Sequence, residues 1–276
     1  MTTLLILLAA VTGVVAAARS TWSPCGLSML SSITPLAEQG RGHRYRTTAR
    51  WFVAGSVVGG ASLGLLTALL ALGLGAAGFS STTLLALALV ACLLAAASDV
   101  PGVGFRLPVH HRQVNERWLD QFRPWVYGAG FGWQIGAGVV TYIKTSAIYL
   151  MIALAVLTGD PRLALGVGAL FGLVRGLAVF LGRHITNSTE LADFHRRFMA
   201  LDPRVRQVTV TWELVAALVV SFALSPWAAL AVAATIGAWA ATRRILVSRQ
   251  HPTGAPVAHD PVTVPSRPDR TKIPST

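Results

Sequence analysis

The sequence predicts an all-α fold, a polytopic membrane helix bundle with six to seven crossings built from inverted three-helix repeats. Hydrophobic residues make up 53% of the 276 residues and charged residues 12%, whereas soluble domains carry about 25% charged residues. Several apolar runs reach the length of about 20 residues that a helix needs to cross a bilayer core. The basic residues are concentrated in alternate connections between these runs.

The apolar runs give the predicted helices in chain order. They cover 4–36, 51–76, 82–98, 125–157, 161–182 and 209–242. The last run is interrupted at Pro226, which disfavours helix at the residue before it, so two short helices are predicted there. The first run contains an alanine triplet that resembles a signal-peptide cleavage site. Because Met1-Thr2-Thr3 lacks the basic start of a signal peptide, we expect this run to remain as a membrane helix.

The placement of the basic residues predicts the orientation of the chain. Although the formal net charge is +12, 19 of the 23 Lys and Arg residues lie in four segments: 38–50, 99–124, 183–208 and 243–276. Connections 77–81 and 158–161 contain none. This alternation is the positive-inside pattern. It predicts a bacterial plasma membrane protein with a cytoplasmic C-terminus, whose partners include membrane lipid and exclude nucleic acid.

Two of the segments predicted to be cytoplasmic, 190–207 and the C-terminal tail, differ in composition. Residues 190–207 place Leu and Phe at helical spacing among arginines, which is typical of an amphipathic helix on an anionic leaflet. From Arg249 onward, six prolines recur among polar residues without apolar periodicity. Such a segment buries too little surface to offset its ordering entropy. We therefore predict a transmembrane domain over 1–245 and a disordered cytoplasmic tail over 246–276.

Two long apolar segments suggest an internal repeat. Segments 4–36 and 125–157 would each be near 50 Å long as helices, against a bilayer core of about 30 Å. Both contain Pro or Gly interruptions, and each precedes a helix with glycines at four-residue spacing, namely Gly55/Gly59, Gly60/Gly64 and Gly168/Gly172/Gly176. Three crossings followed by three of opposite orientation form an inverted repeat, in which binding sites lie at broken helices. We expect both segments to be broken and to approach each other.

Cys25 is the candidate catalytic thiol. It lies in Trp22-Ser23-Pro24-Cys25-Gly26, where proline and glycine favour a helix break. Arg19 is six residues earlier, and a nearby cation favours the reactive thiolate. The alternative is a small buried cysteine that packs in a kinked helix.

Charged side chains within apolar segments are the candidate substrate-binding residues. Charges inside a membrane are costly and usually functional. Lys144 is too deep to reach the interface easily, whereas Arg175 could extend to the cytoplasmic face and Glu213 lies near the start of its predicted helix. The resulting electropositive interior favours an anionic substrate or a thiolate. The candidate substrate-binding residues are Arg19, Lys144, Arg175 and Gln134. We predict that Lys144 faces a polar cavity without a carboxylate in ion-pair distance, and neither a metal nor a cofactor is predicted.

The chain resembles the CcdA/DsbD superfamily of membrane thiol–disulfide carriers and related exporters. The resemblance rests on Ser23-Pro24-Cys25, followed by an apolar stretch, Pro35, a basic loop and a glycine-rich helix. It implies two inverted three-helix units, transfer of reducing equivalents across the membrane and a thioredoxin-like partner. Of the two membrane cysteines of that family, this chain has one. The alternatives are a small-anion transporter and a non-catalytic subunit that contacts other membrane subunits. Whether the chain is an enzyme is left open.

Overall fold

The computed structural model describes residues 1–100, 105, 107–108, 121–139 and 143–250, with side chains up to residue 238. Every regular element in these ranges is helical. The elements are α1 Thr2–Ser20, α2 Pro24–Ser32, α3 Pro35–Gly40, α4 Tyr45–Ala76, α5 Ser81–Asp99, α6 Pro124–Gly136, α7 Ala147–Leu157, α8 Pro161–Leu177, a 3₁₀ helix Ala178–Gly182, α9 Ser188–Ala200, α10 Asp202–Leu224 and α11 Pro226–Gln250. The chain forms two compact units, Met1–Ala233 and Ala234–Thr276.

The first long segment is broken twice, as its prolines predict. Helix α1 ends at Ser20, and Ser23 then caps α2 by accepting a hydrogen bond from the Gly26 N–H. Thr34 caps α3 in the same way, through the Ala37 N–H. Pro24 and Pro35 each occupy the first turn of the new helix, where the missing N–H costs nothing.

The second long segment is also broken, but not at most of the glycines expected to interrupt it. Helix α6 runs through Gly128, Gly132 and Gly136. The chain leaves the helix at Gly138, whose φ of 65° is a left-handed conformation that favours glycine. Residues 143–146 then lead into α7. The prediction that both segments are broken is therefore confirmed.

Helix α4 packs closely against two neighbours through two glycine faces. A Cβ on Gly60 would lie 2.3 Å from the Gly168 carbonyl oxygen of α8. On the other face, a Cβ on Gly55 would lie 2.0 Å from the Ala129 carbonyl oxygen of α6. Because no side chain fits at these distances, the predicted small-residue spacing is confirmed as a close-packing device. The glycines of α6 serve the same purpose, since a Cβ on Gly132 would contact the Phe52 carbonyl oxygen at 2.1 Å.

Five stretches of the described chain are long and apolar enough to cross a membrane. They are Thr2–Ser20, Tyr45–Ala76, Ser81–Asp99, Pro161–Gly182 and Ser188–Leu224. Exposed leucines on α4 such as Leu66, Leu69 and Leu70 present an apolar surface suited to lipid. The predicted interruption before Pro226 is confirmed, because α10 ends at Leu224 and Ser225 has an extended conformation. The fold is thus all-α and compatible with a membrane protein.

Some predictions concern residues outside the described ranges. Most of the predicted tail, 251–276, and much of the basic loop 99–124 lie there. The domain boundary at residue 245 stays a prediction.

Candidate functional site

The two helix breaks meet at a single carboxylate. Asp202 Oδ1 lies 2.5 Å from Arg19 Nη1 and 2.9 Å from Lys144 Nζ. Lys144 Nζ also donates to the Trp22 carbonyl oxygen at 2.8 Å. We call Arg19, Trp22, Lys144 and Asp202 the Asp202 cluster. It joins the α1–α2 break to the stretch before α7 and to the start of α10.

Helix ends position three of the four members of the Asp202 cluster. Arg19 lies in the last turn of α1, where the helix dipole favours a cation. Asp202 lies in the first turn of α10, where the dipole favours an anion. The Trp22 carbonyl follows the end of α1, where carbonyls have no partner within the helix and accept from other groups. The cluster therefore satisfies groups that the breaks leave exposed.

Lys144 is paired, contrary to the prediction. It was expected to face a polar cavity without a carboxylate, and Asp202 instead binds it directly. The side chains of Asp202 and Lys144 are about a quarter exposed, at 27% and 23%, whereas that of Arg19 is 5% exposed. Sequence reasoning missed Asp202 because it lies 58 residues from Lys144, in a segment predicted to be a cytoplasmic loop.

Helix α9 covers the first break with aromatic side chains. The Trp22 indole donates to the Phe198 carbonyl oxygen at 2.8 Å, and its ring stacks on Phe198 with centroids 4.2 Å apart. Phe194 stacks on Phe198 in turn, at 5.5 Å. The amphipathic helix predicted over 190–207 is found only in part, because α9 ends at Ala200 and residues 202–207 begin α10. The aromatic side chains of α9 pack on the protein. A groove of about 620 Å³ runs beside it and is lined by aromatic, acidic and basic side chains.

Cys25 packs among apolar side chains. It is 0% exposed and belongs to a cluster with Met29, Leu30, Phe52 and Phe131. The sequence predicted a polar environment beside Arg19 or Lys144. The cation found to interact electrostatically with Cys25 is Arg175. The predicted polar environment is therefore not found, and the cation near Cys25 is neither of the two that the sequence predicted.

Arg175 is enclosed by the protein. It is 1% exposed, so it does not extend to an interface. Its three guanidinium nitrogens have no hydrogen-bond partner in the described part of the chain. The guanidinium carbon lies 5.8 Å from the centroid of the Phe171 ring, within the range of a cation–π interaction.

Gln134 lies near the end of α6, partly exposed, and is not among the partners of Asp202. The five predicted site residues therefore do not converge on one site.

A second polar cluster was missed by sequence reasoning. Glu38 is 0% exposed, and the Tyr127 hydroxyl lies 2.6 Å from both of its carboxylate oxygens. Thr48 also donates to Glu38, and Arg41 pairs with it at 3.2 Å. His43 Nδ1 is 3.5 Å from the Tyr127 hydroxyl oxygen. The available signal was that Glu38 is the single acid in the basic segment 38–50.

This second group, which we call the Glu38 cluster, has the chemistry of an anchor; its members are Glu38, Arg41, His43, Thr48 and Tyr127. Tyr127, Thr48 and Arg41 each donate to the one buried carboxylate. These bonds tie α3 and the start of α4 to α6. Among the residues that the structure describes, no group of three or more His, Cys, Asp or Glu side chains could hold a metal ion. The arrangement of both clusters can fix broken helices in place.

Comparison with known proteins gives one consistent set of relatives. The chain is 37% identical over 166 residues to methylamine utilization protein MauF of Paracoccus denitrificans, covering 58% of each chain. It is 31% identical over 188 residues to the MauF of Methylophilus methylotrophus, covering 65% of this chain and 62% of the relative. The match to the MauF of Methylobacillus flagellatus is 29% over 200 residues and 66% of each chain. The matched region thus spans less than two thirds of these relatives. No family model and no solved structure matches the chain.

These relatives overturn the predicted family and activity. They are named methylamine utilization proteins, not CcdA/DsbD carriers. The thiol–disulfide carrier prediction is therefore wrong, and so is the small-anion transporter alternative. The tripeptide Ser23-Pro24-Cys25 is not specific to that family. It forms the cap and first turn of α2, a local structure that many unrelated chains adopt.

Proposed function

We propose that this chain is a membrane-embedded accessory protein of methylamine utilization. The observation that carries the proposal is its 37% identity over 166 residues to the MauF of Paracoccus denitrificans, which is named for that process. The accessory role rests on the environment of the cations predicted to bind substrate. The cations that a substrate site would use are either paired with Asp202 or enclosed by the protein.

The Asp202 cluster supports a role in which the fold, rather than a reaction centre, is required. Arg19 and Lys144 contact the same carboxylate oxygen, so the cluster holds three chain segments together. A residue whose charge is neutralised within the protein is a weak binder of exogenous anions. We propose that Arg19 and Lys144 maintain the positions of the broken helices, on which the function of the protein depends. The thiol role of Cys25 depended on the redox activity and is not retained.

We also propose the membrane arrangement of the chain. The five apolar stretches support crossing of a bacterial plasma membrane. The Arg-rich segments 38–50 and 183–208 support a cytoplasmic location for those connections and for the C-terminus. Each of the two broken segments precedes a glycine-rich helix, α4 or α8, and these two helices pack against each other. This arrangement supports inverted repeats.

The proposed function is tested by deletion of the gene in its host. We expect the deletion strain to grow normally on succinate with ammonium and to fail on methylamine as nitrogen source. A plasmid copy of the gene should restore growth on methylamine. Unimpaired growth of the deletion strain on methylamine would refute the proposal.

A second measurement separates the role of the Asp202 cluster from that of the whole chain. The complementing plasmid carries either Lys144→Met or Asp193→Asn, the latter as a control in an exposed ion pair. We expect Asp193→Asn to restore growth fully and Lys144→Met to restore it weakly, with less protein in the membrane fraction. Full restoration by Lys144→Met would show that the cluster is dispensable.

A further inference from the structure

Two carboxyl groups meet where α5, α7 and α10 converge. Asp99 is the last residue of α5, and Glu213 lies in the middle of α10. Ser146, immediately before α7, contacts both of them. Asp99 and Glu213 are close enough to interact electrostatically. The sequence placed Glu213 near the start of its predicted helix, whereas the structure places it in the middle of α10 and 0% exposed.

The surroundings of Asp99 suit an ionised carboxylate. The Ser146 N–H points at Asp99, with its nitrogen 3.1 Å from Oδ1 and 3.3 Å from Oδ2. The Thr145 hydroxyl donates to Oδ2 as well. Both donors lie at the N-terminus of α7, where the helix dipole favours a negative charge. Donors and dipole together stabilise the ionised form of Asp99.

The hydrogen bonds around Ser146 leave no donor for Glu213. A serine hydroxyl carries one hydrogen. Its oxygen lies 2.8 Å from the Ala95 carbonyl oxygen and 3.3 Å from Glu213 Oε1. The Ala95 carbonyl can only accept, and it lies closer, so the hydrogen of Ser146 is directed to Ala95. The lone pairs of Ser146 Oγ then face Glu213 Oε1, which is repulsive unless Glu213 carries the hydrogen.

The second oxygen of Glu213 gives an independent indication. Glu213 Oε2 is buried and has no hydrogen-bond partner within the described ranges. On α5, the facing titratable groups are Asp99 and the buried thiol of Cys92, and neither is a cation. The single charged side chain of α1 is Arg19, and that of the stretch 143–146 is Lys144. Both are bound to Asp202. An ionised carboxylate without donors or counterions is strongly disfavoured in such a place.

We propose that Glu213 and Asp99 form a proton-binding carboxyl pair, in which Glu213 is an un-ionised acid that donates its hydrogen to Ser146 Oγ. The ligand of the site is one proton. The bound proton allows α10 to pack beside Asp99 without two adjacent negative charges. Release of the proton would place two carboxylates at the junction of α5, α7 and α10 and loosen the contact between α5 and α10.

Infrared spectroscopy of the full-length protein in lipid bilayers tests the proposal directly. At neutral pH we expect the carbonyl stretch of an un-ionised carboxylic acid, shifted by exchange into deuterated water. Glu213→Gln should abolish this band. The matched control is Glu190→Gln, because Glu190 is exposed at the start of α9 and accepts hydrogen bonds from Thr186; this variant should leave the band unchanged.

Thermal unfolding provides the second measurement. Glutamine has the size of glutamic acid, stays neutral, and can donate to Ser146 Oγ through its amide. We therefore expect Glu213→Gln to unfold at the same temperature as the parent protein or above it, and at alkaline pH to be the more stable of the two. Absence of the infrared band in the parent, its persistence in Glu213→Gln, or a marked loss of stability or failure to fold of Glu213→Gln would each overturn the proposal.

Discussion

At the scale of single residues, the charges enclosed by the described helices lie in different environments. Arg19 and Lys144 share one carboxylate at the helix breaks. Glu38 is surrounded by donors. Arg175 is enclosed without a hydrogen bond in the described part of the chain. Because breaking a buried ion pair costs far more than breaking an exposed one, these environments predict different sensitivities to mutation.

The Asp202 cluster gives a prediction for stability. Asp202→Asn removes the charge that neutralises Arg19 and Lys144. Since the Arg19 side chain is 5% exposed, its charge is left without compensation in a largely buried position. We expect the free energy of unfolding to fall by about 2 kcal/mol, less than for a fully buried pair because Asp202 itself is partly solvated. Thermal unfolding of the purified protein in detergent measures the change.

The control for this prediction is Asp193→Asn. Asp193 pairs with Arg196 at 2.5 Å, but the two side chains are 44% and 77% exposed. Exposed pairs of this kind contribute about 0–1 kcal/mol, so the melting temperature should hardly change. Equal effects of the two variants would show that the Asp202 cluster does not stabilise the breaks.

At the scale of elements, helix α4 organises the first compact unit. Its glycines allow α6 and α8 to approach on two faces, and Ser56 donates to the Gly172 carbonyl oxygen at 2.8 Å between those contacts. Close backbone approach replaces hydrophobic driving force in a lipid environment, since lipid tails are as apolar as leucine. The tolerance of α4 for added methyl groups should therefore depend on the face.

Gly60→Ala is the informative change in α4. Its Cβ would lie 2.3 Å from the Gly168 carbonyl oxygen and 2.6 Å from the Gly172 Cα. These are backbone atoms, so the helices must separate to accommodate it. We expect a loss of about 1–3 kcal/mol in the free energy of unfolding, measured by thermal unfolding.

Gly73→Ala is the matched control on the same helix. A Cβ there would meet nothing within 4 Å. Since alanine favours helix over glycine by about 1 kcal/mol, stability should stay the same or increase. The proposed packing role of the α4 glycines fails if Gly60→Ala is tolerated as well as Gly73→Ala.

At the scale of the whole molecule, the proposed orientation depends on the basic connections. Single cysteines at Ser81 and Thr189, both exposed, report the two sides in a background lacking Cys25 and Cys92. In intact cells we expect a membrane-impermeant maleimide to label the cysteine at position 81. The cysteine at position 189 should react only after the cells are opened. The reverse pattern would show that the chain has the opposite orientation.

The sequence by itself determined the helical class, the apolar runs, the breaks at Pro24, Pro35 and Pro226, and the close-packing glycines of α4 and α8. These features depend on local chemistry, because hydrophobic length, proline geometry and the absence of a Cβ act within a few residues. Tertiary structure decided which charges meet. Asp202 binds Lys144 across 58 residues, and Tyr127 binds Glu38 across 89. Such pairs depend on how helices pack, and a sequence that lists acids and bases does not specify which of them the packing brings within 3 Å.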